Sequence, residues 1–586
     1  NQYRDVMRLV DGYEKKNHWK DDKGVEAAYN LYFDLLCLQR FYPHYGDAAI
    51  CGRTDAMFSA SDRGISGLHS WRQRNKTVAR EYALVFDSTG IERFARIAWY
   101  LNGKTVDGLR LSLYDPDPEA IQGKIQKVID SSVGPVERSF AAPILGMAIL
   151  KSGAEGRQRA LWLRGNRRNQ TSEGGWHGHA DSMNLGLFAH GLNIMPDLGY
   201  MDQKRWVFGH NTVSLQKGSI PKPTTGIGVH EQDPNLPKPI LSEIAFIAEF
   251  PGMQVVRAVG TEHPDSSRTV LMVDVDKDNF YLVDHLRVGP SVLDEFATYS
   301  FHTNQGKLTT NLEWKKSAEA IEGTTRMFGK WVPPLFDAPQ EKIINPWWAE
   351  VAIDDTYGLL EGKSDVKVRF TALRASDRVS HSFYAPPKAE PVVPKRLPYL
   401  FLSLAKPEDK DEPRLFTSLI EPYRTKRPVA SAAIISGRPA DAEIIAVSQA
   451  DGKELALLIS DGKEEYPFHA GQAKADVAAI TTHEGNVIGI ALRGQYVRIL
   501  TEAIALEAVG DKGAIASGGI TFGPEREVFE FALSTPLRII LPGMFTISVK
   551  EGAHVSDIQT AVSTMSFVLT PDPATGGRGT FTVKPK

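Results

Sequence analysis

The apolar residues of this chain change their spacing part-way along it, and this change constrains the fold more than any other feature. Up to about residue 151 they recur every three or four positions, as in Ile91, Phe94, Ala95, Ile97, Ala98 and Leu101, which is the spacing of an amphipathic helix. Beyond residue 161 they form short β-rich runs bounded by Gly, Pro, Asn and Asp, among them 253–259, 269–275, 280–288, 366–373 and 444–447. Helices followed by strands, without alternation, predict separate helical and β parts.

We therefore predict an α+β multidomain chain with three parts. Residues 1–155 are predicted to be helical, residues 156–475 to form a large antiparallel β-sandwich, and residues 476–586 to form a small C-terminal β-sheet domain. The Pro-rich stretch 385–398 is predicted to be a surface excursion, because proline cannot occupy a central strand.

Charge and composition exclude several classes of protein. The 586 residues carry 68 Lys and Arg against 71 Asp and Glu, for a net charge of −3, so there is no basic surface to hold a nucleic acid backbone. The longest mostly apolar stretch, 141–150, is shorter than the roughly 20 residues that span a bilayer. We expect a globular protein without a nucleic acid partner or a membrane span, in which a local site must bind any anionic ligand.

The first residue and the cysteines say little about the cellular compartment. The chain begins at Asn1 without an initiator methionine, a basic segment or an apolar segment, so a signal peptide is either absent or already removed. Cys37 and Cys51 are too few for a disulfide scaffold or a zinc ribbon. We expect buried free thiols, with a single disulfide as the alternative.

The densest group of catalytic and metal-binding residue types lies between residues 174 and 213. It holds four of the 15 histidines, in the motifs G-G-W-H-G-H-A-D, P-D-L-G-Y and G-H-N-T-V and the strand that follows the first of them. In an extended H-x-H the imidazoles of His177 and His179 point to the same face. Histidine and carboxylate together suit zinc. Asp197 and His210, each in a turn-like setting, favour a site over an accident of sequence.

The combined order of these motifs resembles the heparinase II/III-like polysaccharide lyases. Beyond H-G-H-A-D, G-L-N-I-M-P-D-L-G and G-H-N-T-V, the matching segments are 281–289, 299–302 and 419–423, with 25–32 and 45–47 upstream. The resemblance extends over most of residues 20–425. It implies an N-terminal (α/α) toroid, a large antiparallel β-sandwich, and β-elimination of a uronic-acid polysaccharide in the cleft between them.

The resemblance also implies a division of labour among the clustered residues. His177, the first histidine of H-x-H, would face the substrate. His179, Asp197 and His210 would hold a zinc ion that is structural more than catalytic. For His210, the alternative is a histidine at a strand end that is bonded to backbone.

The reaction that the resemblance implies needs three groups. One neutralises the C5 carboxylate, one removes the C5 proton, and one protonates the departing O4 oxygen. A tyrosine serves as base and acid if neighbouring cations lower its pKa from about 10. Tyr29 is the best match to the family's toroid tyrosine, with Tyr32 as the fallback on the same helical face and Tyr200 as a second phenol. Packing between helices is the alternative for Tyr29 and Tyr32.

Arginine and tryptophan side chains supply the candidate substrate contacts, because guanidinium groups bind acidic sugars and indole rings stack on sugar faces. His302 is added from the resemblance alone. The candidates are Trp71, Arg72, Arg168, Asn169, Trp176 and His302. For the arginine candidates the alternative is a solvated cation on a loop. For the tryptophan candidates the alternative is an aromatic residue of the core.

The sequence departs from the family in its first part. The family carries an Asn or His well upstream of its toroid tyrosine to neutralise the substrate carboxylate, and position 29 leaves little room for one. Asn17 and His18 have the right residue types at the wrong spacing. Arg164, in the group that precedes H-x-H, offers charge instead. Either the N-terminal part of the toroid is missing or the neutraliser comes from elsewhere.

The leading hypothesis is a secreted or periplasmic lyase whose partner is an acidic glycan such as alginate, a glycosaminoglycan or ulvan. A zinc-dependent hydrolase is the second, since H-x-H also opens amidohydrolase-type barrels, but a barrel needs alternating strands and helices beyond residue 180. A non-catalytic carbohydrate-binding protein of the same fold is the third. The sequence leaves open the choice of uronate, internal or terminal cleavage, and whether the chain forms a homo-oligomer.

Overall fold

A computed structural model gives the structure of the protein over a set of separate ranges. These ranges are 23–43, 67–111, 117–131, 137–153, 156–166, 179–197, 207–219, 237–319, 321, 324–325, 329–385, 395–435, 441–511, 513–523, 528–550, 552–561, 563–572 and 577–585.

The first part of the described chain is helical. Its helices are Lys23–Asp34 (α1), Gly67–Thr89 (α2), Glu92–Leu101 (α3) and Ala120–Ser131 (α4). In α3 the buried side chains include Phe94, Ile97 and Leu101, whose spacing places them on one face. The helix predicted from this pattern is confirmed, whereas the toroid stays a prediction. Cys37, which follows α1, is a free thiol, and burial raises its pKa to about 12.

Five antiparallel strands follow the helices and form sheet I in chain order. They are Phe140–Ala142 (β1), Met147–Ser152 (β2), Arg159–Arg164 (β3), Leu185–Ala189 (β4) and Leu192–Met195 (β5). The sheet packs on the helical part, where the rings of Phe41 and Phe188 stack with centroids 4.9 Å apart. Sheet I therefore connects the helices to the β-sandwich.

The sandwich is built from sixteen described strands. They are Val213–Gln216 (β6), Lys238–Pro239 (β7), Ser242–Phe250 (β8), Met253–Gly260 (β9), Ser267–Asp274 (β10), Phe280–Val288 (β11), Phe296–His302 (β12), Gly306–Thr310 (β13), Lys315–Lys316 (β14), Thr324–Thr325 (β15), Gly329–Asp337 (β16), Trp347–Ile353 (β17), Lys367–Ala372 (β18), Arg378–Ala385 (β19), Leu397–Ala405 (β20) and Arg414–Tyr423 (β21). Sheet II has the order β13-β17-β18-β21-β11-β10-β9-β8, and sheet III the order β14-β16-β19-β20-β12-β6-β7 with β15 beside β16.

Sheets II and III pack face to face through large apolar side chains. Phe301 of sheet III lies 4.6 Å from Phe370 of sheet II, measured between ring centroids, and Tyr299 lies 5.8 Å from Phe416. Side chains alternate along each strand, so every second residue reaches this core. The β-rich runs predicted from 253, 269, 280 and 366 are confirmed as β9, β10, β11 and β18.

The remaining strands form sheet IV. They are Val429–Ile434 (β22), Ala442–Gln449 (β23), Lys453–Ser460 (β24), Tyr466–Phe468 (β25), Gly471–His483 (β26), Asn486–Ile499 (β27), Ile504–Ala508 (β28), Ala516–Phe522 (β29), Val528–Leu533 (β30), Leu537–Pro542 (β31), Phe545–Val549 (β32), Ala553–Thr560 (β33), Thr564–Pro571 (β34) and Arg578–Pro585 (β35). The sheet begins inside the range 156–475 assigned to the sandwich, so that predicted boundary does not coincide with a sheet boundary.

Sheet IV covers the outer face of sheet II. Val283 and Leu419 of sheet II belong to one buried apolar cluster with Ile445, Leu457 and Val477 of sheet IV. Within the described residues the chain beyond α4 contains strands, turns and 3₁₀ helices of three residues but no α-helix, and its strand pairs are antiparallel. The alternation of strands and helices that a hydrolase barrel needs is therefore not found there.

No helix in the described ranges is long and apolar enough to cross a membrane.

Candidate functional site

A hairpin places Asn184 beside the predicted metal ligand Asp197. Strands β4 and β5 are joined by His190 and Gly191, which have φ values of 52° and 80°, as the tight turn of a two-residue hairpin requires. In a hairpin the residue before the first strand meets the residue after the second. Asn184, just before β4, therefore lies beside Asp197, just after β5.

The centre of the site is a buried histidine–carboxylate pair. The Nδ1 atom of His210 lies 2.9 Å from Oδ2 of Asp197, and the Nδ2 amide of Asn184 donates to the same oxygen at 2.7 Å. The ring centroid of His179 lies 5.9 Å from that of His210. The exposed fractions of His179, Asp197 and His210 are 2%, 2% and 0%. We call His179, Asn184, Asp197 and His210 the loop cluster.

Amide and imidazole groups support the loop cluster from one side. The side-chain oxygen of Asn184 accepts from the backbone N–H of Asn211 at 2.9 Å, and the side chain of Asn211 accepts from the backbone N–H of His302 at 2.6 Å. The Nε2 atom of His302 lies 2.7 Å from the carbonyl oxygen of Pro196. These bonds connect the three loop segments that carry the cluster to strand β12.

His302 is buried and uncharged in this setting. Its ring is 1% exposed and stacks on Tyr399 with centroids 4.5 Å apart. Burial disfavours the imidazolium and lowers the pKa of His302 to about 4. This placement suits a supporting side chain better than a surface that meets substrate, and the predicted contact with substrate stays a prediction.

A buried arginine anchors the same loops from inside the sandwich. Arg268 pairs with Asp284, Nη2 to Oδ2 at 2.6 Å, and its Nη1 donates to the carbonyl oxygens of Met183 and Asn211 at 2.6 and 2.5 Å. Tyr299 donates to the same carboxylate at 2.8 Å. The guanidinium thus holds the backbone directly beside Asn184 and His210.

The donor types of the loop cluster suit zinc, but their described arrangement is that of a hydrogen-bonded pair. Two imidazoles and one carboxylate, all buried, match the ligands that zinc takes in proteins. Asp197 accepts from the ring of His210, as a carboxylate that orients a metal-binding histidine does. Across the described ranges, no three His, Cys, Asp or Glu side chains converge in a geometry that holds a metal ion.

The two predicted helix tyrosines take part in aromatic packing. Both are half-buried on α1. The ring of Tyr29 meets Tyr82 edge-on with centroids 5.6 Å apart, and that of Tyr32 lies 5.7 Å from Tyr42. The hydroxyl of Tyr82 donates to the backbone oxygen of Tyr29 at 2.6 Å. Their catalytic role stays a prediction.

Arg164 does not lie in a solvated loop, as one reading of the sequence had it. It ends strand β3, is 3% exposed, and its Nε atom lies 3.6 Å from Oδ2 of Asp181. Because its charge is already paired inside the protein, Arg164 cannot serve as a mobile cation for the substrate.

Several predicted site residues lie outside the described residues. For Trp71 and Arg72 only the helical backbone of α2 is described. The others outside the described ranges are Arg168, Asn169, Trp176, His177 and Tyr200.

Sequence reasoning missed the residues that hold the site together. Asn184 and Asn211 stand inside or next to the quoted motifs, so their proximity to histidines was a usable signal. Asp284 lies inside the matching segment 281–289, but Arg268 carried no such signal, because the two face each other only through the pairing of β10 with β11.

Comparison with known proteins gave matches by structure alone. No family model and no curated protein matches the chain. The chain is similar to the heparan sulfate lyase HepC from Pedobacter heparinus and to the Heparinase III-BT4657 gene product, each at 12% identity and a TM-score of 0.43, covering 74% of this chain and 52% of the other. It is also similar to a Paenibacillus xanthan lyase, at 10% identity and a TM-score of 0.33, covering 89% and 59%. The chain thus spans little more than half the length of these polysaccharide lyases.

Proposed function

We propose that this chain belongs to a polysaccharide lyase that cleaves a uronic-acid-containing glycan by β-elimination. The observation that carries the proposal is the loop cluster. His179, Asp197 and His210, which come from three separate motifs, form one buried polar centre. We also propose that the enzyme acts outside the cytoplasm, where such glycans occur.

The proposed reaction breaks the bond between C4 and the glycosidic oxygen. A base takes the C5 proton, and the electron pair of the C5–H bond forms the C4–C5 double bond. The electron pair of the C4–O bond leaves with the glycosidic oxygen, which an acid protonates. We assign the base and acid to Tyr29, with Tyr32, Tyr200 and His177 as the other candidates. A neutralised carboxylate makes the C5 proton removable at moderate pH.

We further propose that the loop cluster holds zinc with a mainly structural role. His179 and His210 would supply nitrogen and Asp197 oxygen, and the bound ion would fix the loops that carry them. Metal analysis of the dialysed protein tests this assignment. A His179→Ala protein that is folded, free of metal and fully active would exclude a catalytic metal.

An absorbance screen tests the lyase itself. Each β-elimination leaves a 4,5-unsaturated uronyl end that absorbs in the ultraviolet, whereas hydrolysis leaves none. We expect one glycan among alginate, glycosaminoglycans and ulvan to show a rise with the full-length protein. The absence of a rise with every glycan tested would contradict the lyase and favour the carbohydrate-binding alternative.

A single substitution tests the catalytic assignment. We expect Tyr29→Phe to lower turnover by about 10²–10⁴-fold, the usual contribution of a general acid–base group, with substrate binding largely kept. Tyr42→Phe is the matched control, because Tyr42 is a buried aromatic residue of the same region. Near-normal turnover in Tyr29→Phe would move the role to Tyr32, Tyr200 or His177.

A further inference from the structure

A polar cavity lies away from the loop cluster, between sheets II and IV. Its volume is about 420 Å³, and its walls come from β8 to β11 and β21 on one side and from β23, β24, β26 and β27 on the other. The adjoining part of the same interface is filled with apolar side chains such as Leu271 and Leu457. A hollow lined with charged groups is a costly way to join two sheets, so the cavity calls for another explanation.

Two carboxylates of the cavity have basic partners. Glu443 is bonded to His285 at 2.9 Å and is also bonded to Arg374 and Thr417. Asp461 pairs with Lys463 at 2.9 Å. Held carboxylates keep lone pairs free to accept hydrogen bonds, and sugar hydroxyls are donors that match them.

Two guanidinium groups share one carboxylate and one aromatic ring in this cavity. Arg257 and Arg493 lie 3.4 and 3.9 Å from the carboxylate of Asp476. Their Cζ atoms lie 5.4 and 4.6 Å from the ring centroid of Phe246. Arg257 also donates to Thr269 at 2.8 Å, so most of its donors are used.

Arg493 keeps its donors available. Within the described part of the chain its guanidinium makes no hydrogen bond, and its side chain is 21% exposed at the cavity wall. The ring of Phe246 holds it in place from one side. A guanidinium in this state is ready for a carboxylate, which it binds with two parallel N–H donors.

We infer that this cavity binds a sugar acid, with its carboxylate on Arg493 and its hydroxyl groups on the carboxylates of Glu443 and Asp461, which lie on the same wall. One guanidinium with free donors beside several fixed acceptors matches a ligand with one negative charge and several hydroxyls. The volume accommodates a monosaccharide or disaccharide. This inference does not depend on the lyase activity, because the walls of the cavity alone define the ligand.

Calorimetric titration of the full chain with sodium glucuronate tests the inference. We expect binding that falls by about tenfold or more in Arg493→Gln, because a charge-assisted pair is lost. Arg493→Lys should bind with intermediate strength, since it keeps the charge without the planar fork. The matched control is Arg498→Gln on the same strand, whose guanidinium pairs with Glu507 at 2.8 Å and which should bind as wild type does.

Three further measurements decide the chemistry and the location. Acetate, which has the carboxylate alone, and glucose, which has the hydroxyls alone, should each bind at least about tenfold more weakly than glucuronate. Hydrogen exchange should slow on glucuronate binding in peptides that cover 457–463 and 490–496. Binding of glucuronate elsewhere in the protein would survive in Arg493→Gln. The binding heat that is present in the wild type and absent in this variant is therefore the signal of the cavity.

The inference is overturned by any of four results. Glucuronate does not bind the wild type, or it binds Arg493→Gln as strongly as the wild type. Acetate or glucose binds as strongly as glucuronate, or hydrogen exchange slows only in peptides other than the two named. The absorbance screen for the lyase has an independent outcome, so failure of one proposal does not imply failure of the other.

Discussion

Two buried histidine–carboxylate pairs of equal length lie in different surroundings in the described part of the protein. In the loop cluster, His210 lies 2.9 Å from Asp197, which also accepts a hydrogen bond from the amide of Asn184. In the second, which we call the interface cluster (His285, Arg374, Thr417 and Glu443), His285 also lies 2.9 Å from its carboxylate.

The difference lies in what surrounds each carboxylate. Burial alone would raise the pKa of Glu443, but His285, Arg374 and Thr417 outweigh burial and lower it to about 2. The interface cluster is therefore a compensated ionic contact between two sheets. The loop cluster instead joins loop segments through neutral amides and is held in place by Arg268. The same pair thus joins two sheets in one place and loop segments in the other.

The largest effect is expected when the anchor of the loop cluster is removed. Arg268→Met leaves Asp284 buried without a cation and two carbonyl oxygens without their donor. We expect the free energy of unfolding to fall by about 4 kcal/mol, measured by urea titration. The surface control Arg538→Gln, which loses its pair with Asp557, should cost at most about 1 kcal/mol. Similar losses in the two variants would contradict the anchoring role.

The next largest effect is expected in the interface cluster. Glu443→Gln leaves His285 and Arg374 without their common carboxylate, and we expect a loss of about 3 kcal/mol in the free energy of unfolding at pH 7. Differential scanning calorimetry should show the transition of sheet IV shifted the most. An unchanged melting profile would mean that the pair contributes no net stability.

The stability difference between wild type and Glu443→Gln should depend on pH. The pKa of Glu443 is about 2 in the folded protein and about 4.3 in an unfolded chain. A lowered carboxyl pKa adds stability that is present above the unfolded value and is lost as the pH falls through the folded value. The two urea midpoints should therefore differ most at about pH 6 and converge between about pH 4 and pH 2. A constant difference would refute the ionic origin.

The smallest effect is expected on metal binding at the loop cluster. Asp197→Asn keeps the shape of the side chain but removes its charge, and we expect zinc affinity to fall by about 10–100-fold. Elemental analysis after dialysis against a graded chelator measures the change. Asp337→Asn, which removes a carboxylate paired with Arg378, is the control and should retain zinc as wild type does. Equal zinc contents would remove Asp197 from the proposed ligand set.

Much of the secondary structure could be predicted because it depends on local patterns. The apolar spacing around Phe94 defines one face of a helix, and the run 280–288 coincides with β11. The end of the sandwich could not be predicted in this way. Sheets II and IV are both antiparallel and have similar strands, so no local signal marks the start of sheet IV at Val429.

The candidate site was predictable in its members but not in its support. His179, Asp197 and His210 carry recognisable metal-binding chemistry, and their motifs stand close together in the sequence. Arg268 is a single arginine in an ordinary strand pattern. Its role arises from the pairing of β10 with β11 and from the loops that pass over it.

By itself, the sequence determined the change from helices to strands and the set of residue types that the proposed chemistry needs. Both depend on neighbours within a few positions, where backbone geometry fixes which side chains share a face. Only the tertiary structure decided that His285 and Arg374 meet at Glu443, and that Arg493 faces a cavity with its donors available. Those properties depend on side chains that are distant in sequence and on the loss of water around them, and no local pattern records either.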